Sequence, residues 1–323
     1  MLWIVGAANR KRDMPVLLYI SPVEPPRPWK LALERVVPGI EVRIWPEAGS
    51  RGSVDYVLCW NPPAGVFRGM DNLKAVFSLG AGIDHLAGHT SLPENVPVVR
   101  MVEPALTEGM TEYVIYQVLR FHRHMDDYAA QQSRTEWRVL TQARPRDRRI
   151  GIMGLGMLGQ VAAAKLRALD FDVAGWSRSE KKLPGIRSFA GSGALDAFLQ
   201  RTDILVCMLP LTPETEGIIN RRHLTRLPKG AYVINVARGR HLLEEDLLAV
   251  LDSGHIAGAA LDVFHKEPLP PDHPFWTHPK VSVTPHIASL TNPETGARAI
   301  ADNIARCESG KPPKNVVDFS RGY

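Results

Sequence analysis

Three short segments place an arginine, a glutamate and a histidine each where an apolar run ends. Asn235-Val236-Ala237-Arg238-Gly239 closes the run Ala231–Asn235, Leu261-Asp262-Val263-Phe264 leads to Glu267-Pro268, and Thr284-Pro285-His286-Ile287-Ala288 follows Val281–Val283. Arginine's planar fork matches a carboxylate through two parallel hydrogen bonds, which lysine cannot do. Histidine exchanges a proton near neutral pH, and a carboxylate beside it orients the ring. Delivered to one crevice, Arg238, Glu267 and His286 make an anion clamp, a carboxylate partner and a proton donor. That set suits proton transfer to a small anionic carbonyl compound.

A second constellation binds phosphate. Gly154-Leu155-Gly156-Met157-Leu158-Gly159 follows the apolar run Ile150–Met153 and opens the amphipathic stretch Val161–Leu169. In that setting Gly154 permits a tight turn, Gly156 lets the backbone approach a pyrophosphate, and Gly159 lets helix and strand pack closely. The amides at Met157 and Leu158, with the helix dipole, then hold the diphosphate. The next run, Val173-Ala174-Gly175-Trp176, ends in Ser177-Arg178-Ser179, with Lys181 and Lys182 beyond. A fold that prefers NAD places Asp or Glu at this strand end, ~20 residues past the glycines, to accept from the ribose 2′-OH. A guanidinium and two hydroxyls suit a 2′-phosphate instead, so the expected cofactor is NADPH/NADP+, with NADH less favoured.

The elements that must position these residues follow from periodicity. Strands are predicted at Val16–Ile20, Glu41–Trp45, Tyr56–Trp60 and Ala75–Ser78, with a helix at Trp29–Val37. Leu106–Gln131 lacks proline and keeps Met110, Val114, Val118 and Phe121 at helical spacing, which predicts one long helix. After Ile150–Met153, strands at Val173–Trp176, Ile204–Met208, Ala231–Asn235, Gly258–Asp262 and Val281–Val283 alternate with helices at Val161–Leu169, Leu195–Leu199 and Glu244–Ser253. A last helix spans Pro293–Glu308. Buried apolar strands separated by amphipathic helices give an α/β fold with parallel, doubly wound sheets.

Composition removes other classes. At 323 residues the chain is long enough for two domains, and 45% apolar with 23% charged residues is ordinary for a globular protein. No run approaches the ~18 apolar residues of a membrane span, so no membrane partner is expected. Cys59, Cys207 and Cys307 are scattered, which fits a reducing cytoplasm and no disulfide framework. The net charge of +5 is spread along the chain; its densest cluster, Arg144 to Arg149, has no interleaved aromatics, so no nucleic-acid partner is expected. His85, His241, His273 and His278 show no ligand spacing, so no metal is assigned. His122 and His124, two apart on a helix, read as surface residues. Residues 1–13 read as an amino-terminal extension outside the fold.

On these motifs the chain resembles the D-isomer-specific 2-hydroxyacid dehydrogenase family over essentially all residues after Met14. The resemblance includes Leu79-Gly80-Ala81-Gly82-Ile83-Asp84, the glycine fingerprint, Leu209-Pro210-Leu211-Thr212-Pro213-Glu214-Thr215, and the Arg, Glu and His motifs in order. Finer features are similar to the bacterial glyoxylate/hydroxypyruvate reductase A subgroup: Trp60-Asn61-Pro62-Pro63, Trp176-Ser177-Arg178, Pro184-Gly185-Ile186 and Arg321-Gly322-Tyr323.

The resemblance implies two Rossmann-like domains. A nucleotide domain, 104–288, is inserted into a discontinuous, flavodoxin-like substrate domain made of 14–103 and 289–323, and the assembly is a homodimer. It implies NADPH-dependent reduction of short 2-oxo acids, glyoxylate to glycolate and hydroxypyruvate to D-glycerate. Arg238 binds the substrate carboxylate, His286 is the general acid, and Glu267 orients the imidazole and favours its protonated form. The amides of Ala81 and Gly82 receive the carboxylate. By their own size and polarity, Trp60 and Trp45 suit either the lining of a small pocket or the packing of the core. Leu209, Pro210, Thr215, Val236, Ala237, Arg238, His286 and Ala288 adjoin the cofactor, as does Asp262, which faces the nicotinamide carboxamide. Other family substrates (3-phosphoglycerate, D-lactate, phosphite, formate) and an NADPH-sensing regulator are the rival readings; family formate dehydrogenases carry Gln where Glu267 stands.

Overall fold

The computed structural model describes residues 14–86 and 89–319. The extension expected over 1–13 and the closing Arg321-Gly322-Tyr323 lie outside those residues. The chain forms two compact units, one from the residues up to Glu103 with those from Thr291 on, the other running from Pro104 to Leu290.

The first unit opens with β1 (Val16–Ile20), α1 (Pro26–Val36), β2 (Glu41–Ile44), β3 (Tyr56–Cys59), β4 (Ala75–Ser78) and β5 (Val98–Val99). Its sheet has the order β2-β1-β3-β4-β5, and every pairing is parallel. β1, β3 and β4 are buried along their whole length, as strands covered on both faces must be.

The second unit follows with α2 (Pro104–His122), α3 (Met125–Ser133), β6 (Arg149–Met153), α4 (Met157–Ala168), β7 (Asp172–Ser177) and β8 (Arg187–Ala190). Then come α5 (Leu195–Gln200), β9 (Ile204–Cys207), α6 (Arg221–Leu224), β10 (Ala231–Asn235), α7 (Glu244–Asp252), β11 (Ile256–Leu261) and β12 (Val281–Val283). The seven strands lie in the order β12-β11-β10-β9-β6-β7-β8, again parallel throughout. Separate apolar cores include Phe198, Leu205, Val233 and Leu247 in one, and Val114, Ile150, Leu166 and Val206 in the other. The chain returns to the first unit as α8 (Pro293–Glu308). Asn292 caps it by accepting from the Glu294 amide at 2.8 Å. Gly296 leaves room for Trp29 of α1, whose ring a Cβ would meet at 2.6 Å.

Two expectations need correction. The stretch Leu106–Gln131 is not one helix: it breaks into α2 and α3 where His124 takes a left-handed backbone with φ of 56°. His122 is not a surface residue. It is 3% exposed and lies edge-on to Phe171, with ring centroids 5.0 Å apart. The short β5 and the edge strand β8 are additions that periodicity did not reveal.

Candidate active site

In the larger sheet β6 lies between β7 and β9, so the strand order reverses between β6 and β9. Open parallel sheets bind ligands outside the carboxyl ends at such a switch point. The chain leaves β6 through Gly154, at φ of 106°, where a Cβ would meet the Met208 carbonyl oxygen at 2.5 Å. A Cβ on Gly159 would lie 1.9 Å from the Gly154 oxygen. Gly156 differs: nothing lies within 4 Å of where its Cβ would be. No side chain caps α4, which begins at the exposed Met157 and the half-buried Leu158. An open glycine before an uncapped helix start fits the diphosphate of a dinucleotide.

β7 delivers the next residues. Trp176 is buried and donates from Nε1 to the Gly191 carbonyl at 2.8 Å, tying β7 to the segment after β8. Ser177 Oγ donates to the Ser179 carbonyl at 2.8 Å and turns the chain, so Arg178 and Ser179 stand exposed at the strand end. The guanidinium acts on a residue distant in sequence. The Glu214 carboxyl is held below its ordinary range by the Thr212 hydroxyl, by its own amide and by the charge of Arg178.

Arg238 follows β10, and its backbone is fixed on both sides. Asn235 Nδ2 donates to the Arg238 carbonyl at 3.0 Å, and Asn235 Oδ1 accepts from the Ala237 amide at 3.2 Å. Buried His241 lies 3.2 Å from the Pro210 carbonyl through Nε2, which must therefore carry a proton; its Nδ1 accepts from the Arg238 amide at 3.1 Å. The guanidinium donates from Nη1 to the Ala237 carbonyl at 2.7 Å. The next residue has to be glycine, because a Cβ on Gly239 would lie 1.9 Å from the Phe264 carbonyl carbon. The arginine loop thus packs backbone to backbone against the segment that leads to Glu267.

Glu267, joined to Pro268 by a cis peptide, accepts from the Phe264 amide at 3.0 Å through Oε1. Its Oε2 accepts from His286 Nδ1 at 2.8 Å. Burial works to raise this carboxyl, but the His286 hydrogen bond and charge, the Phe264 amide and the Arg238 charge outweigh it and hold the group low. Glu267 is therefore a carboxylate at neutral pH, and because His286 donates from Nδ1, Nε2 is the ring atom available for proton exchange. His286 sits in the left-handed region with φ of 55°. Its amide and those of Ile287 and Ala288 all bond to Asp262: to the carbonyl at 2.9 Å, to Oδ1 at 2.9 Å and to Oδ2 at 2.8 Å respectively. Asp262 is 1% exposed, and burial raises its carboxyl against these donors.

The structure therefore gathers Arg238, Glu267, His286 and Asp262 in the second unit. Several neighbours spend their polar groups inside it. Thr215 Oγ1 donates to the Pro210 carbonyl at 2.7 Å and accepts from the Thr212 amide at 2.8 Å, closing its own loop. Leu209, Val236, Ala237 and Ala288 are buried, and Pro210 is exposed. Trp60, Ala81 and Gly82 belong to the first unit, beyond the carboxyl ends of β3 and β4. There the Trp60 ring lies tilted against His85 with centroids 4.3 Å apart, and a Cβ on Gly80 would strike the Trp60 ring at 2.8 Å. Ser78 Oγ lies 2.9 and 3.0 Å from the carbonyls of Gly80 and Gly82, where its proton can be shared between them, and so shapes the turn that contains Ala81 and Gly82. Among the described residues no group of three or more His, Cys, Asp and Glu could hold a metal.

Sequence reasoning passed over Asn235 and His241 as site-builders. Their signal was adjacency: both lie within three residues of Arg238. Glu214 had no comparable signal, because only the fold brings it to Arg178.

A parallel sheet with an open glycine cradle at its switch point, and an acid–base pair beside an arginine at neighbouring strand ends, defines a nicotinamide-dependent oxidoreductase. Comparison with known proteins narrows the class. Residues 115–288 match the family model described as D-isomer specific 2-hydroxyacid dehydrogenase, NAD binding domain. A D-isomer specific 2-hydroxyacid dehydrogenase from Xanthobacter autotrophicus Py2, solved in complex with NADPH and MES, shares 44% identity at a TM-score of 0.91, covering 96% of this chain and 100% of that one. The NADPH-dependent glyoxylate/hydroxypyruvate reductase of Sinorhizobium meliloti, solved with NADP and sulfate, shares 41% at 0.90 over 96% and 100%. A probable 2-hydroxyacid dehydrogenase from Rhizobium etli CFN 42, with NADP, HEPES and L(+)-tartaric acid, shares 36% at 0.86 over 96% and 100%. The chain belongs to the D-isomer specific 2-hydroxyacid dehydrogenase family and is an NAD(P)-dependent oxidoreductase.

Proposed function

We propose that the protein reduces short 2-oxo acids with NADPH, converting glyoxylate to glycolate and hydroxypyruvate to D-glycerate. The observation that carries this reading is the His286–Glu267 pair at 2.8 Å, with the charge of Arg238 acting on the same carboxylate. The nicotinamide, when bound, supplies the hydride that reaches C2 of the acid. Arg238 pairs with the substrate carboxylate and so fixes where the carbonyl lies. His286, charged and oriented by Glu267, gives its Nε2 proton to the carbonyl oxygen as negative charge builds there. The glycine turn Gly154–Gly159 and the start of α4 would hold the diphosphate, and Ser177, Arg178 and Ser179 the 2′-phosphate. The substrate pair is supported by the likeness to the Sinorhizobium enzyme, which is named for those two acids.

The test is steady-state oxidation of NADPH and of NADH with glyoxylate and hydroxypyruvate, for the wild type and Arg178→Ala. Fast turnover with NADPH that is lost selectively in the variant is the expected result. No turnover with either acid, or a preference for NADH, would overturn the reading.

A further inference from the structure

The loop that carries His286 is tied to a helix that no motif points to. Thr284 Oγ1 donates to Asp262 Oδ1 at 2.6 Å, so its single proton is already committed. Tyr113 of α2 lies 2.6 Å from the same Oγ1 through its hydroxyl and must therefore be the donor. Gln117, one helical turn further along α2, is 1% exposed. Its Oε1 accepts from Arg120 Nη1 at 3.2 Å, which fixes the amide's orientation. At the other end, Asp262 holds the amides of Ile287 and Ala288. A hydrogen-bond chain thus runs from α2 to the peptide units that keep His286 left-handed, a backbone that a non-glycine residue adopts only when its surroundings impose it.

We propose that Tyr113 is a positioning residue for His286, acting through Thr284 and Asp262 to hold the imidazole where it can meet a substrate carbonyl. This rests on reading His286 as the general acid. With the phenol replaced by phenyl, the Thr284 oxygen has no donor and its hydroxyl is free to turn from Asp262. The carboxylate then grips the loop with two amides instead of two amides and a fixed hydroxyl. Burial raises the Tyr113 hydroxyl above its usual range, so it stays a donor across the working pH. The aromatic ring survives in Tyr113→Phe, and with it the packing of α2.

Two measurements on the full chain test the proposal, compared among wild type, Tyr113→Phe, Thr284→Ser, Thr284→Val and Tyr113→Phe/Thr284→Val. The first is the NMR signal of the His286 Cε1–H, assigned by its loss in His286→Asn. A single signal in wild type and Thr284→Ser, broadened or doubled in Tyr113→Phe, is expected. An unchanged signal in Tyr113→Phe overturns the proposal, whether or not any acid is turned over. The second is glyoxylate reduction. In Tyr113→Phe kcat should fall about tenfold with the KM for NADPH within about twofold of wild type. The double variant should be no slower than Thr284→Val alone, because both act along one chain. Additive losses, or a raised KM with kcat intact, overturn it as well. A wild type that reduces neither acid while its His286 signal still responds to Tyr113→Phe would sink the substrate reading and leave the positioning role standing.

Discussion

Glu267 does two jobs with its two oxygens, and the division predicts how the site fails. Oε1 fixes the Phe264 amide, so it shapes the loop, while Oε2 faces His286 and carries charge to the ring. Glu267→Gln keeps an acceptor for the amide and removes the charge. Reduction by the variant should drop in kcat by about 100-fold, at the lower end of what positioned acid–base groups supply, while the KM for NADPH stays close to that of wild type. A kcat for Glu267→Gln equal to that of wild type would show that Glu267 only shapes the loop. At this scale the motifs were legible because each reactive residue lies within six residues of the end of an apolar strand. The roles of Tyr113 and Glu214 were not, since they depend on which loops and helices the sheet order brings together.

At the level of elements, the break between α2 and α3 explains a buried histidine. The apolar spacing of Met110, Val114, Val118 and Phe121 continues without proline or glycine, so periodicity alone extends one helix through it. At the break the charge switches sign: Arg120 and His122 lie in the last turn of α2, and Asp126 and Asp127 in the first turn of α3. Each suits the dipole of its own helix end, and Arg120 Nε reaches Asp126 at 2.6 Å across the junction. His122 ends up inside, and its Nδ1 is buried with no hydrogen-bond partner. Burial first, then the charges of Arg148, Arg123 and His124, push its imidazolium down to about 4. The folded state therefore keeps this ring neutral while the unfolded chain, titrating near ~6.5, takes up a proton first. Its stabilising contribution is complete above pH ~6.5 and is lost as pH falls toward ~4, a loss on the order of 3 kcal/mol. Thermal melts of wild type and His122→Phe at pH 8 and pH 5 test this: the wild type should lose more stability between the two values. Equal losses would mean that His122 is not the group responsible. The central strands were the opposite case, because a buried parallel strand is a continuous apolar run and only its end residues shifted; the short β5 and the half-exposed edge strand β8 have no such run and were missed.

The whole molecule carries a net charge of +5 with no helix, among the described residues, long and apolar enough to cross a membrane. An excess of positive charge favours polyanionic ligands generally. Discrimination between two dinucleotides that differ by one phosphate needs a local group, and Arg178 is exposed at the end of β7. Binding to the folded state alone raises stability by mass action, about 2.7 kcal/mol when the ligand stands at 100 times its Kd, which for a cooperative unit of this size is a melting shift of roughly 5 °C. NADPH should therefore raise the melting temperature more than an equal concentration of NADH. The difference should vanish in Arg178→Ala, although the diphosphate cradle and part of the shift remain. An exposed guanidinium is also open to screening, whose range shrinks to about 3 Å at 1 M salt. Added salt should accordingly narrow the gap between the two cofactors before it abolishes binding of either. Because this reads binding without turnover, it separates the cofactor assignment from the identity of the acid. Equal shifts with the two nucleotides at low salt would place the recognition of the 2′-phosphate, and with it the reading of the Ser177–Ser179 turn, in error while leaving the family and its fold untouched.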